Sequence, residues 1–236
     1  MKLFVGLGNP GSAHAHQRHN VGFMAAERIA LRHGLGPWKK RFHGLVCDGQ
    51  IGGHRVTLLK PQTYMNDSGR SVGEALRYLK IGEGDVCVFH DELDLAPGKL
   101  KLKSGGGNAG HNGLRSITAH IGNEYARIRI GIGHPGAKEA VLRHVLHDFA
   151  KADAAWLEPL LDAIAEAAAR LAAGEDARFL TDVARATSKP AAVSAPAPVN
   201  PSMANPSMAA TGERRAKRAS ALAENLKRWL MRREKS

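Results

Sequence analysis

KLFVGLGNPG, residues 2–11, opens on an apolar run and closes on glycine, asparagine and proline. A short apolar run bounded by turn residues reads as a buried strand, here Lys2–Leu7. Working outward, Val21, Met24, Ala25 and Ile29 recur at helical spacing, which predicts a helix over Val21–Arg32. DVCVFH, residues 85–90, is a second apolar strand. Phe42–Gln50 and His54–Lys60 flank Gly52-Gly53, the signature of a hairpin. Val72, Ala75, Leu76 and Leu79 share one face of a helix from Ser68 to Lys80. Lys99–Lys103 reads as a half-exposed strand, Leu114–Ile121 as a helix and Tyr125–Ile130 as a strand. Leu157, Leu160, Leu161, Ile164, Ala168 and Leu171 line a long amphipathic helix. Strands alternating with helices predict an α/β fold: one domain with a central twisted mixed β-sheet flanked by helices.

Composition narrows the function. The chain has 236 residues, 43% of them apolar and only 5% aromatic. That suffices for one sizeable core and excludes a stapled mini-domain or a collagen-like chain. No run of 18 apolar residues occurs, so no membrane span is expected. MKLFVGLGNPG reaches its Gly-Pro turn too early for a signal peptide. Cys47 and Cys87 form no C-x-x-C pair, so neither a disulfide framework nor a cysteine zinc site is expected. Together these point to a cytoplasmic protein. The formal charge of +12 favours polyanionic partners, nucleic acid first.

The charge is unevenly spread. Residues 1–187 read as the folded domain. Residues 188–212 are rich in Ala, Pro and Ser and repeat NPSMA twice at 200–209, the composition of a disordered linker. Residues 213–236 hold nine Lys/Arg and three Glu, half of the net charge. Leu222, Leu226, Trp229 and Leu230 would share a face if this basic tail were helical. A solvated tail, an RNA- or ribosome-binding helix and a membrane-surface helix all remain open for it.

Several motifs fail on context. Gly6-x-Gly8-x-x-Gly11 matches the dinucleotide fingerprint, but Pro10-Gly11 turns the chain where that fingerprint opens a helix. The acid twenty residues on is Glu27, inside a helix. The pattern recurs at Gly131-x-Gly133-x-x-Gly136, again after a strand, which suggests two sharp turns lining one cleft. Gly69-x-Ser71-x-Gly73 matches the serine-hydrolase elbow, but Ser71 is expected inside a helix; an esterase working through Ser71 is the alternative it leaves. His14 with His16, or His144 with His147, have ligand-like spacing, yet no acid completes either set. No metal and no cofactor is expected. The glycine-rich loop 104–113 precedes a helix and offers backbone N–H groups to an anion, without the G-K-[ST] of a P-loop.

What remains is a polar set at strand and loop ends: Asn9, His19, Asn20, Asn66, Asp91, His111 and Asn112. A histidine beside an aspartate is a general base held in one tautomer. Asparagine amides both donate and accept, and so suit a carbonyl and its developing oxyanion. Water activated by histidine, acting on a polyanionic substrate, is the chemistry this set supports.

VGLGNPG, RHNVGF, KPQTYMNDSG, HDELDL, GGGNAGHNGL and RIRIGIGHPG occur in this order over residues 3–136. As a series they closely resemble the bacterial peptidyl-tRNA hydrolase family, over about 185 residues. The resemblance implies a monomeric α/β enzyme that hydrolyses the ester between a peptide and the tRNA 3′ end and so recycles tRNA. It implies that His19 is the catalytic base, that Asp91 orients it, and that Asn9 distinguishes blocked from free aminoacyl groups. It implies contacts to the tRNA end and peptide from Tyr64, Met65, Asn66 and Asn112, with His111 in the pocket. It implies a phosphate clamp of Lys101, Lys103 and Arg129. His14 stands where the family usually has Tyr, and the resemblance extends a tRNA contact to it through its ring. A catalytically silent RNA-binding relative of the same fold is the other alternative.

Overall fold

The computed structural model describes residues 1–188. The readings of residues 189–236 as linker and basic tail lie outside the described residues. Seven strands form one mixed sheet: β1 (Lys2–Gly6), β2 (Lys39–Arg41), β3 (Gly44–Ile51), β4 (His54–Pro61), β5 (Val86–Glu92), β6 (Leu100–Ser104) and β7 (Ala126–Gly131). Their order is β2-β3-β4-β1-β5-β7-β6. The four central strands β4, β1, β5 and β7 are parallel, while β2, β3 and β6 run antiparallel to their neighbours.

Among the described residues, six α-helices accompany the sheet: α1 (Val21–Arg32), α2 (Ser68–Leu79), α3 (Asn112–Ile121), α4 (Val141–Val145), α5 (Ala154–Ala172) and α6 (Asp176–Ser188). The alternation of β1 and β5 sorts two cores. Phe4, Cys87 and Phe89 pack toward α1, α5 and α6, with Ile29, Ile164 and Phe179. Leu3, Val5, Val86 and Val88 pack toward α2 and α3, with Val72 and Ile117. Arg28 pairs with Glu158 and Asp162, tying the outer surfaces of α1 and α5.

The predicted elements are present, with instructive differences. β5 runs two residues past His90, because Asp91 and Glu92 pair with Ile130 and Gly131 of β7. Polar Asp91-Glu92 reads as lying beyond the strand; a parallel neighbour keeps it extended. Asn112 opens α3 rather than preceding it. The edge strand β2, the short α4 and α6 were not read from the sequence. α6 buries only Phe179 and Val183, four residues apart, too little for a periodicity signal.

The connection from β1 leaves toward β4 on one side, and the chain then returns to β5 on the other. The carboxyl ends of β1 and β5 therefore flank a switch point, where open α/β sheets place ligands. α1 starts directly over it. Gly22 is pressed so close that a Cβ there would lie 2.2 Å from the Phe89 carbonyl oxygen and 2.5 Å from the Leu7 nitrogen. Gly6 is equally tight, its Cβ position 2.2 Å from the Gly22 carbonyl oxygen. The Phe23 N–H donates to the Leu7 carbonyl at 3.1 Å, so the strand satisfies an orphan donor of the helix start.

Gly22→Ala therefore meets backbone on two strands and has nowhere to relax. It is expected to cost at least the roughly 1–3 kcal/mol typical of overpacking. The midpoint of urea unfolding should fall accordingly; an unchanged midpoint would show that α1 can ride away from the sheet.

Candidate active site

Asp91 stands at the carboxyl end of β5 and is buried. Burial alone would push its carboxyl up. The electrostatic pull of His19 and His111 and their hydrogen bonds outweigh that and hold it well below the usual carboxylate range. An ionised carboxylate only accepts hydrogen bonds. His19 Nδ1 therefore donates to Asp91 Oδ1 at 2.8 Å, and His111 Nε2 donates to the same oxygen at 3.1 Å. The two imidazoles lie 4.8 Å apart, centroid to centroid.

His19 sits in a 3₁₀ turn, Arg18–Asn20, that runs straight into α1. Burial disfavours its charged form, but the Asp91 charge and hydrogen bond more than offset this, so its affinity for a proton is raised. The tautomer set by Asp91 directs Nε2, the other ring nitrogen, away from the carboxylate. Asn20, 1% exposed, forms a reciprocal pair with the backbone of Asn9. Asn9 N–H donates to Asn20 Oδ1 at 2.8 Å, and Asn20 Nδ2 donates to the Asn9 carbonyl at 2.9 Å. The loop after β1 is thereby locked to the turn that carries His19.

A cavity of about 610 Å³ opens beside this pair. Its wall includes Asn9, His19, Met65, Asp91, His111 and Asn112, with His134 from the second glycine-rich turn. The two turns after β1 and β7 do line one cleft. Asn112 Oδ1 accepts from Arg115 Nη2 at 2.9 Å, which leaves the amide nitrogen free to donate. Val141, Leu142, Val145 and Leu146, on and just after α4, supply an apolar wall.

The remaining expected residues stand apart from that wall. Tyr64 is 82% exposed and Asn66 is exposed beside the buried Met65. His14 lies in the turn Ser12–His14, outside the cavity wall, with its Nδ1 buried and unbonded. Lys101 and Arg129 are direct cross-strand partners on β6 and β7, and Lys103 lies two residues along the same strand. Arg129 Nε is held by Glu92 Oε2 at 2.8 Å, so part of the cluster's charge is neutralised.

Ser71 lies inside α2, as expected, wholly buried and donating to the Phe42 carbonyl at 2.6 Å; a hydroxyl spent on backbone away from the cavity is no nucleophile, and the serine-esterase alternative falls. At the end of the glycine-rich loop, the N–H groups of Gly113 and Leu114 are taken within the chain. His111 caps the helix, its Nδ1 accepting from Gly113 and Leu114 at 3.1 and 3.4 Å. Of the two histidine pairs marked by spacing, the second spends ring nitrogens on carbonyls, His144 on Ile132 and His147 on Asp148. His19, Asp91 and His111 do converge within 4.8 Å, a spacing that suits a cation. The cap settles their use: with Nδ1 of His111 accepting from backbone, Nε2 carries the proton and faces Asp91 as a donor, not as a ligand.

Sequence reasoning passed over His90, hidden in an apolar strand. It is 1% exposed, and its Nδ1 donates to the Asp91 carbonyl at 2.7 Å. Burial, helped by the neighbouring His111 ring, lowers its pKa to about 3, so it stays neutral.

This fold and site define a class: an α/β protein with a histidine–aspartate pair at a sheet switch point, built for proton transfer beside a cavity. The comparisons make the family specific. The family model "Peptidyl-tRNA hydrolase" matches residues 3–191. The chain is 60% identical over 190 residues to the peptidyl-tRNA hydrolase of Ruegeria pomeroyi, covering 80% of each chain. It is 63% identical over 183 residues to that of Bradyrhizobium diazoefficiens, covering 78% of this chain and 91% of that one. The crystal structure of the peptidyl-tRNA hydrolase from Acinetobacter baumannii superposes with a TM-score of 0.74 at 43% identity, covering 78% of this chain and 94% of that one. This chain belongs to the peptidyl-tRNA hydrolase family.

His90 also predicts an acid response. Its pKa is about 3 when folded, against an ordinary 6.5, so between these pH values the unfolded chain binds the extra proton. Its contribution to stability is present above about pH 6.5 and is lost as pH falls toward 3, at about 1.4 kcal/mol per pH unit for one proton. Urea unfolding of His90→Gln from pH 4 to 7 should show a shallower loss on acidification than wild type. Parallel curves would show that His90 charges freely in the folded state.

Proposed function

We propose that this chain hydrolyses the ester joining a peptide, or an N-blocked aminoacyl group, to the 3′ end of tRNA. One observation carries the reading. His19 Nδ1 is bonded to a buried carboxylate, which turns the opposite nitrogen, Nε2, into a base beside a cavity walled by Asn9 and Asn112. Family membership supports the substrate.

In this reading Nε2 of neutral His19 takes a proton from water as the water oxygen attacks the ester carbonyl. Asp91 stabilises the imidazolium that forms. Asn112 Nδ2, free because Arg115 holds the amide oxygen, donates to the developing oxyanion. The tetrahedral species then collapses. The bond to the ribose oxygen breaks, and His19 returns its proton to that oxygen. Asn9, whose backbone is clamped by Asn20, meets the amide of the peptide, which a free α-ammonium cannot match. Lys101, Lys103 and Arg129, with Tyr64, Asn66 and the His14 ring, meet the RNA outside the cavity. The enzyme works as a cytoplasmic monomer. The basic tail, nine Lys/Arg against three Glu, adds phosphate contacts to tRNA or the ribosome.

Release of N-acetyl-aminoacyl groups from tRNA, with unblocked aminoacyl-tRNA as control, tests this. Wild type should cleave only the blocked ester, and His19→Ala should lose roughly 10²–10⁴-fold in kcat, the usual worth of a general base. Because the affinity of His19 for a proton is raised, the acid limb of kcat/KM should have its midpoint above 6.5. A folded wild type that cleaves neither ester would defeat the reading. Removing residues 189–236 should raise KM most at low salt; unchanged KM would exclude the tail from substrate binding.

A further inference from the structure

His111 joins two jobs in one ring. Nδ1 accepts the N–H groups of Gly113 and Leu114, capping α3, and Nε2–H donates to Asp91 Oδ1. The cap forbids a proton on Nδ1, so it dictates the one on Nε2. That proton falls on the same carboxylate oxygen that His19 uses. The ring is fixed further by His90, edge-on at 5.2 Å and itself tied to the Asp91 carbonyl.

We propose that His111 is a positioning residue that sets the basicity of His19 by sharing Asp91 Oδ1 with it, and that the α3 cap keeps it in that role. A second donor on one oxygen withdraws charge from it. His19 then sees a weaker carboxylate than a two-residue pair would provide, and its Nε2 is neutral at a lower pH. The cap also fixes Asn112, the next residue, at the start of α3 in the cavity wall. One ring thus couples the base to an amide of the same wall. The other titratable or charged groups around the cavity are His90 and Glu92 of β5, Asp94 just after it, and His134 and Lys138 beyond β7. Arg127 acts on His90 from β7. None of these accepts or donates at Asp91 Oδ1. The catalytic consequence rests on His19 being the general base; the coupling itself does not.

Two variants separate the jobs. Asparagine is a good helix cap but too short to keep the bond to Asp91, so His111→Asn preserves the cap and removes the shared proton. His111→Ala removes both. The His19 ring is titrated by NMR in the full chain, its resonance assigned by its loss in His19→Asn, and the kcat/KM profile is recorded alongside. In His111→Asn the His19 midpoint should rise by about one pH unit, an ordinary size for an environmental shift. The acid limb of kcat/KM should rise with it, while Tm stays near wild type. His111→Ala should show the same rise and a Tm lower by about 2–4 °C, the size expected for a lost cap in a domain of this length.

A His19 midpoint that does not move in either variant would overturn the proposal, leaving His111 a helix cap alone. A Tm that falls as far in His111→Asn as in His111→Ala would overturn the division of labour. A moved midpoint in a chain that cleaves no ester would support the coupling and defeat only the assigned activity.

Discussion

The contact at Gly22 governs the architecture of the site. α1 crosses the ends of β1 and β5 so closely that a Cβ on Gly22 would lie 2.2–2.6 Å from the backbone atoms of Phe89 and Leu7, nearer than any side chain allows. That approach delivers the turn Arg18–Asn20 onto the carboxyl end of the sheet. His19 then reaches Asp91 across 72 residues of chain, and Asn20 reaches back to Asn9. Any residue larger than glycine would lift the helix and part both pairs.

Asp91 is the electrostatic counterpart of that contact. A buried charge is tolerated only when paired and hydrogen-bonded. Asp91 has two imidazoles on one oxygen, and its backbone carbonyl is bonded to a third. The carboxylate is held ionised by those partners, and in return it fixes the tautomer of His19, as the α3 cap fixes that of His111.

The cavity and the basic strands divide the binding surface by chemistry. Apolar residues around α4 and the amides of Asn9 and Asn112 face the cavity. Lys101, Lys103 and Arg129 lie on the outer pair β6 and β7, at one edge of the sheet. Glu92 joins the two regions, lining the cavity while holding Arg129. The separation suits a substrate whose reacting end is small and whose bulk is charged.

Much was legible in the sequence because it is local. Apolar runs bounded by Gly and Pro marked β1, β3, β4 and β5, and helical spacing marked α1, α2 and α5. The ordered motifs named the family and pointed to His19, Asp91, Asn9 and Asn112 as candidates. Local pattern says nothing about what meets across the sheet. The extension of β5 through Asp91 depends on β7, and the burial of α6 depends on two residues finding a core assembled elsewhere. That Ser71 is spent on Phe42, that His111 caps α3, and that three histidines gather on one aspartate were decided only by the tertiary structure. The sequence by itself marked which residues could carry chemistry and which segments bury; the packing of the elements, α1 on β1 and β5 foremost, decided which hydrogen bond each of those residues makes. The physical reason is that a side chain's tautomer, charge and free lone pair are set by its neighbours in space, and here those neighbours are distant in the chain.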